Sequence, residues 1–227
     1  MQKGTLYGVG VGPGDPELLT FKAARILREA DVIAIPDTGR AKKTALSIAE
    51  SFIEGKERIF CPAPMTTDKS KTAAAYDKTA AELAEILESG QNVAFITLGD
   101  PSVYSTYNYV AKRVSAMGYL TQTVAGVTSF CAAAARLSES LCEGSQALTI
   151  IPASSMEPEL WCNLLGNKVL MKAGGKLPEL TAELAELDAS VFAVTNCGME
   201  GERVIRSASE IADDAGYFSV IVVKERL

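Results

Sequence analysis

The chain has 227 residues, 48% of them hydrophobic, and a formal net charge of −6, so it can bury one large core or two small ones without staples. Its longest apolar runs, Val93 to Thr97 and Phe218 to Val223, fall far short of the roughly 20 residues that a membrane-spanning helix needs. The acidic balance also argues against nucleic acid or an anionic membrane as partner. Histidine is absent, which removes imidazole bases, Ser-His and Cys-His nucleophile pairs and imidazole metal ligands from consideration. The five cysteines stand singly with no CxxC spacing, so neither a disulfide framework nor a zinc site is expected, and the thiols are read as reduced and mostly buried. Met1-Gln2-Lys3-Gly4 leads into a strand-like segment without an apolar signal region, and a cytoplasmic location is expected.

In chain order, Leu6 to Val11 predicts a strand ending in glycines. Thr20 to Leu27 follows as a helix with Thr20 as its cap. Val32 to Ile35 reads as a buried strand stopped by Pro36, and residues 42–53 place Ala45, Leu46, Ile48, Ala49, Phe52 and Ile53 on one helical face. Lys71 to Leu87 and Tyr104 to Met117 read as helices ending before Gly90 and Gly118, each followed by a strand, Val93 to Thr97 and Leu120 to Val124. Strands alternating with helices require crossover connections and a largely parallel sheet. In the second half, an Ala-rich helix (Phe130 to Leu137) precedes strands at Leu148 to Ile151, Val169 to Lys172 and Val191 to Thr195. Arg203 to Arg206 and Phe218 to Glu225, with only a short helical piece between, point to antiparallel pairing in a mixed sheet. The expected fold is therefore α/β with two α/β domains, 1–124 and 125–227.

Three loops follow predicted strands, where open α/β sheets place their ligands. The first, Gly8-Val9-Gly10-Val11-Gly12-Pro13-Gly14-Asp15-Pro16, is not a dinucleotide fingerprint. GxGxxG begun at Gly8 meets Pro13, and begun at Gly10 meets Asp15. No Gly-Lys-Ser/Thr follows for a phosphate loop. Its glycines fit either close approach to a ligand or a tight turn without one. The second, Leu98-Gly99-Asp100-Pro101-Ser102-Val103-Tyr104-Ser105-Thr106, reads either as ligand-contacting or as an Asp-Pro turn. In the third, Ala125-Gly126-Val127-Thr128-Ser129, Thr128 is either a ligand contact or a helix cap.

Read together, these loops resemble the tetrapyrrole methylase family, whose members carry GVGPGDPELLT after a strand, then a GDP loop, then a GVTS segment. The resemblance runs over essentially the whole chain. The Tyr104-Ser105-Thr106 continuation, Pro64-Met65, Val169-Leu170-Met171-Lys172 and Asn196-Cys197-Gly198-Met199-Glu200 are similar to the branch that acts on precorrin-2 or cobalt-factor II at C-20. Ala125 departs from the family pattern, which often has proline there. The resemblance implies S-adenosyl-L-methionine as cofactor, in a cleft between the two domains, contacted by Pro13, Gly99, Asp100, Val103, Thr128, Ser129, Lys172 and Gly198. It also implies a tetrapyrrole substrate and a homodimer. Two rivals stand beside it: another tetrapyrrole methylase, acting on uroporphyrinogen or a later precorrin, and a nucleotide-binding module without turnover.

The implied chemistry suits a chain without histidine. A sulfonium methyl is already an activated electrophile, so placement and exclusion of water carry much of the catalysis. The methylated meso carbon must lose a proton, for which Asp100, Tyr104 and Glu200 are candidates. Each also has a plain reading: loop ordering for Asp100, packing for Tyr104, solvation for Glu200. No protein-bound metal is expected.

Substrate carboxylates call for cationic partners. Arg40, Lys42 and Lys43 crowd the start of a predicted helix, where the macrodipole disfavours them by only about 0.3–1 kcal/mol, so an anionic ligand or a solvated loop explains them. If they bind substrate, replacing all three with Gln should raise the tetrapyrrole dissociation constant about tenfold or more, with cofactor affinity unchanged. Titration at low salt checks this, and wild-type binding by the triple variant would make them ordinary surface.

Overall fold

Period-two alternation in the strands decides which helices cover which face of the first sheet. Strands β1 (Thr5–Gly10), β2 (Val32–Asp37), β3 (Glu57–Pro62), β4 (Val93–Thr97) and β5 (Leu120–Val124) pair in the order β3-β2-β4-β1-β5, all parallel. Ile33, Ile35, Ala94 and Ile96 bury on one face with Ile26 and Leu27 of α1 (Phe21–Glu29) and Ala45 and Ile48 of α2 (Arg40–Ala49). Val32, Ala34, Val93 and Phe95 bury on the other with Leu83 and Leu87 of α3 (Lys69–Glu88) and Val110 and Val114 of α4 (Tyr107–Ala116). The structure, a computed structural model, describes residues 2–38, 40–64, 66, 68–173, 177–211 and 218–225, with the backbone alone at 40–43 and 177–179.

The strand order has a consequence for function. Adjacent β1 and β4 send their chains to opposite faces, β1 into α1 and β4 into α4. Such a reversal opens a crevice at the carboxyl ends of the two strands. The glycine-rich first loop and the Gly99 loop therefore stand side by side because of topology.

Thr20 caps α1 as expected: its Oγ1 accepts the Ala23 N–H at 3.1 Å. The same hydroxyl donates to the Ala125 carbonyl at 3.2 Å, a tie to the third loop that local spacing does not reveal. Other expectations need correction. The helix expected from Tyr104 begins at Tyr107. Tyr104 has φ 49°, a left-handed conformation costly for a side chain of its size, and the Ser105 hydroxyl accepts the Tyr107 N–H at 3.1 Å. Pro36 does not stop β2, which runs through it to Asp37. Beyond Ala34, β2 pairs only with β3, so the missing proline N–H removes no bond to β4. Edge strand β3 is absent from the sequence reading because Glu57 and Arg58 on one side and Pro62 on the other leave only Ile59 to Cys61 as an apolar run.

The chain divides into two units, Met1–Thr128 and Ser129–Leu227. The second holds a mixed sheet of β6 (Leu148–Pro152), β7 (Asn167–Met171), β8 (Ala189–Thr195), β9 (Arg203–Ile205) and β10 (Ser219–Glu225) in the order β6-β7-β10-β8-β9. Among the described residues, only β6 and β7 of this sheet pair in parallel. The last strand enters the middle, antiparallel to both β7 and β8. Helix α5 (Ser129–Leu137) packs against β8 and β10. Trp161 of α6 (Pro158–Cys162) and Leu180 and Leu184 of α7 (Leu177–Glu186) join Ile151, Leu170, Ala193 and Ile221 in one core. None of the five cysteines is in a disulfide, but only Cys61 and Cys197 are buried, correcting the expectation that most would be. Burial pushes the Cys61 thiol up to about 12, which leaves it inert.

Thr20 joins helix capping to loop placement, so its removal should be felt in both. Thr20→Val is expected to lower unfolding free energy by about 1–2 kcal/mol, whereas Thr20→Ser keeps both bonds and should stay near wild type. Urea denaturation checks this, and equal stability of the three proteins would show that the cap carries no weight.

Candidate functional site

Three stretches of backbone meet where β1, β4 and β5 end, with no side chain between them. Gly12 and Gly99 form an isolated antiparallel bridge: Gly99 N–H donates to the Gly12 carbonyl at 2.7 Å, and Gly12 N–H donates to the Gly99 carbonyl at 3.3 Å. The third loop presses on both. A Cβ built on Gly126 would lie 2.2 Å from the Gly99 oxygen and 2.8 Å from Gly10 Cα, and one on Gly10 would lie 2.7 Å from Gly126 Cα. Glycine at 10 and 126 is thus demanded by the loops' approach to each other. Pro13 is buried beside this junction.

Asp100 ties the second loop to the third. Its Oδ2 accepts the Gly126 N–H at 2.8 Å, and its Oδ1 accepts the Ser102 N–H at 2.7 Å and the Ser102 hydroxyl. Partial burial pushes this carboxyl upward, but the bonds from Ser102 and Gly126 outweigh it and hold the group below its ordinary value. A carboxylate so engaged is a poor proton acceptor. Val103, half-buried, closes the turn through its N–H to the Asp100 carbonyl at 3.2 Å. Tyr104 is 46% exposed. Beneath the loop, the buried Thr97 and Ser105 hydroxyls share a hydrogen bond of 3.0 Å. Thr128 and Ser129 are both partly exposed as residues, yet the Thr128 Oγ1 is fully buried and has no hydrogen-bond partner.

The second unit, which begins at Ser129, also carries Lys172, Gly198 and Glu200. Lys172 follows β7 with φ 58°, half-buried, and burial lowers its pKa. Gly198 lies in the turn after β8, and its N–H donates to Glu202 Oε2 at 2.7 Å. The Arg136 guanidinium binds the other Glu202 oxygen, and with the Gly198 N–H it holds that carboxyl below its usual range. Glu200 is exposed. The side chains of Arg40, Lys42 and Lys43, at the start of α2, lie outside the described residues.

The sequence reading missed Ser102, Ser105 and Glu202. Ser102 had a readable signal, the Asp-Pro-Ser order of an Asx turn two residues long. Glu202 had none, because its partner Arg136 is 66 residues away in the chain.

Comparison with known proteins gives this geometry a context. The family of tetrapyrrole (corrin/porphyrin) methylases matches residues 5–212. The chain is 35% identical to the cobalt-precorrin-2 C(20)-methyltransferase of Salmonella typhimurium, covering 98% of this chain and 97% of that one. It is 31% identical to the precorrin-2 C(20)-methyltransferase of a Sinorhizobium species, covering 97% and 95%. Among solved structures, a uroporphyrin-III C-methyltransferase from Thermus thermophilus complexed with S-adenosylhomocysteine shares the fold, with a TM-score of 0.73, 20% identity and 98% of both chains covered.

The junction makes a direct prediction. Gly126→Ala places a methyl group against backbone that cannot rotate away, so it should cost about 1–3 kcal/mol or more. Thermal unfolding reads the loss. A variant as stable as wild type would mean that the three loops do not meet as described.

Proposed function

This chain belongs to the tetrapyrrole (corrin/porphyrin) methylases, and from that membership we propose that it transfers the methyl group of S-adenosylmethionine to C-20 of precorrin-2 or its cobalt complex in cobalamin biosynthesis. One observation carries the reading: identity of 31–35% over nearly the full length to relatives named for that methylation.

The first unit's residues suit the cofactor. A buried hydroxyl without a partner costs free energy unless a ligand completes it, and the Thr128 Oγ1 is such a group. Pro13, Gly99, Asp100, Val103 and Thr128 are the residues of this unit that we assign to its binding, Asp100 through its backbone, and Ser129, which follows Thr128 in the chain and begins the second unit, is assigned with them. When bound, S-adenosylmethionine supplies an activated methyl electrophile. The chain's own part is to fix the reacting partners and exclude water, which needs no histidine. Because the Asp100 carboxylate is already satisfied by Ser102 and Gly126, the exposed Glu200 carboxylate is the better proposed proton acceptor, whereas the Tyr104 phenol accepts a proton only as its phenolate. The homodimer and the cytoplasmic location belong to the same proposal. Among the described residues no helix is long and apolar enough to cross a membrane.

Labelled S-adenosylmethionine incubated with precorrin-2, its cobalt complex and uroporphyrinogen III should mark only the first two, at C-20. Calorimetry should show S-adenosylhomocysteine binding and no NAD binding. Transfer to uroporphyrinogen alone, or none, would sink the assignment.

A further inference from the structure

Thr128 has no hydrogen bond of its own to hold its side-chain oxygen, so its placement must come from the backbone on either side. On the N-terminal side that backbone is held at three points. Gly126 abuts Gly10 and the Gly99 carbonyl. The Ala125 carbonyl accepts from the Thr20 hydroxyl. The Gly126 N–H is taken by Asp100 Oδ2. Only the last is a charge-assisted bond, which is shorter and about twice as strong as a neutral one, and Asp100 is itself oriented by two bonds from Ser102.

We propose that Asp100 is a positioning residue whose carboxylate clasps the 126–128 segment and so presents the Thr128 hydroxyl to S-adenosylmethionine. It is neither the proton acceptor nor a side-chain ligand of the cofactor. The inference rests on the functional reading above and adds to it the route by which one residue acts through another. The lowered pKa of Asp100 agrees, since it keeps the clasp charged at neutral pH.

Two measurements test it together. Amide exchange in the ligand-free protein should show the Gly126 N–H protected in wild type and open in Asp100→Asn, whose single amide oxygen is held by the two Ser102 donors, leaving toward Gly126 an amide nitrogen that cannot accept that bond. In a double-mutant cycle on S-adenosylhomocysteine affinity, Asp100→Asn and Thr128→Val should each weaken binding about tenfold or somewhat less. Combined, they should cost little more than either alone, because both remove the same contact. Thr128→Val should leave stability unchanged or higher, since it removes an unsatisfied buried hydroxyl.

Independent, additive losses would overturn the proposal by making Asp100 a direct ligand. So would an Asp100→Asn protein that binds normally, or an exchanging Gly126 amide in wild type. If Asp100→Asn does not fold, Ser102→Ala takes its place in the cycle: it loosens the same carboxylate, leaves all three backbones intact and should show a smaller loss that is likewise non-additive with Thr128→Val. Wild type that binds no S-adenosylhomocysteine would overturn the functional reading, and with it the presentation of Thr128. A protected Gly126 amide would then still establish the clasp itself.

Discussion

The site in the first unit depends on a steric constraint: three backbones occupy a space that admits no Cβ. The Gly99 carbonyl lies where a side chain on Gly126 would begin, and Gly12 and Gly99 are bridged at the same place. Backbone polar groups buried this closely must bond to one another, and the Gly12–Gly99 pair does so in both directions. The resulting junction is rigid without a large apolar residue in it. That rigidity gives loops, ordinarily the mobile part of a fold, a fixed arrangement.

Topology brings the loops together before any glycine is considered. With β4 between β2 and β1 and with β5 on the far side of β1, the chain leaves adjacent strands toward opposite faces. Buried hydrophobic side chains on both faces lock this order. Secondary ties then refine the loops: Thr20 reaches Ala125, Asp100 reaches Gly126, and the Tyr107 hydroxyl under the sheet donates to the Gln122 carbonyl at 2.8 Å. Each links segments that are distant in the chain, so each depends on the sheet having formed.

A site of this kind has few ionisable groups at its centre. The Asp100 carboxylate serves the loops, and no histidine exists anywhere in the chain. Methyl transfer from a sulfonium tolerates such a site because the leaving group needs no protonation, and geometry carries the rate. Among the described residues, the non-glycine positions with left-handed backbone include Tyr104, Lys172 and Asn196, all in segments that the sequence had marked by motif. Strain of about 1–3 kcal/mol each persists only where surrounding structure demands it.

The sequence by itself determined the α/β class, nearly every strand of the first sheet, the Thr20 cap, the three loops and the family. These are local matters of apolar period, turn chemistry and contiguous motif, written within a dozen residues of one another. Edge strand β3 escaped because its charged start leaves an apolar run of only Ile59 to Cys61, and the passage of β2 through Pro36 escaped because it depends on which neighbours that strand lacks. The tertiary structure alone decided that Gly10 and Gly126 face each other, that Asp100 binds Gly126, and that the Thr128 hydroxyl is buried without a partner. Glycine in a strand-end loop announces a close approach but not what approaches. The partner is set by strand order, and strand order is a property of the folded sheet, where residues 26 apart in sequence come within hydrogen-bonding distance.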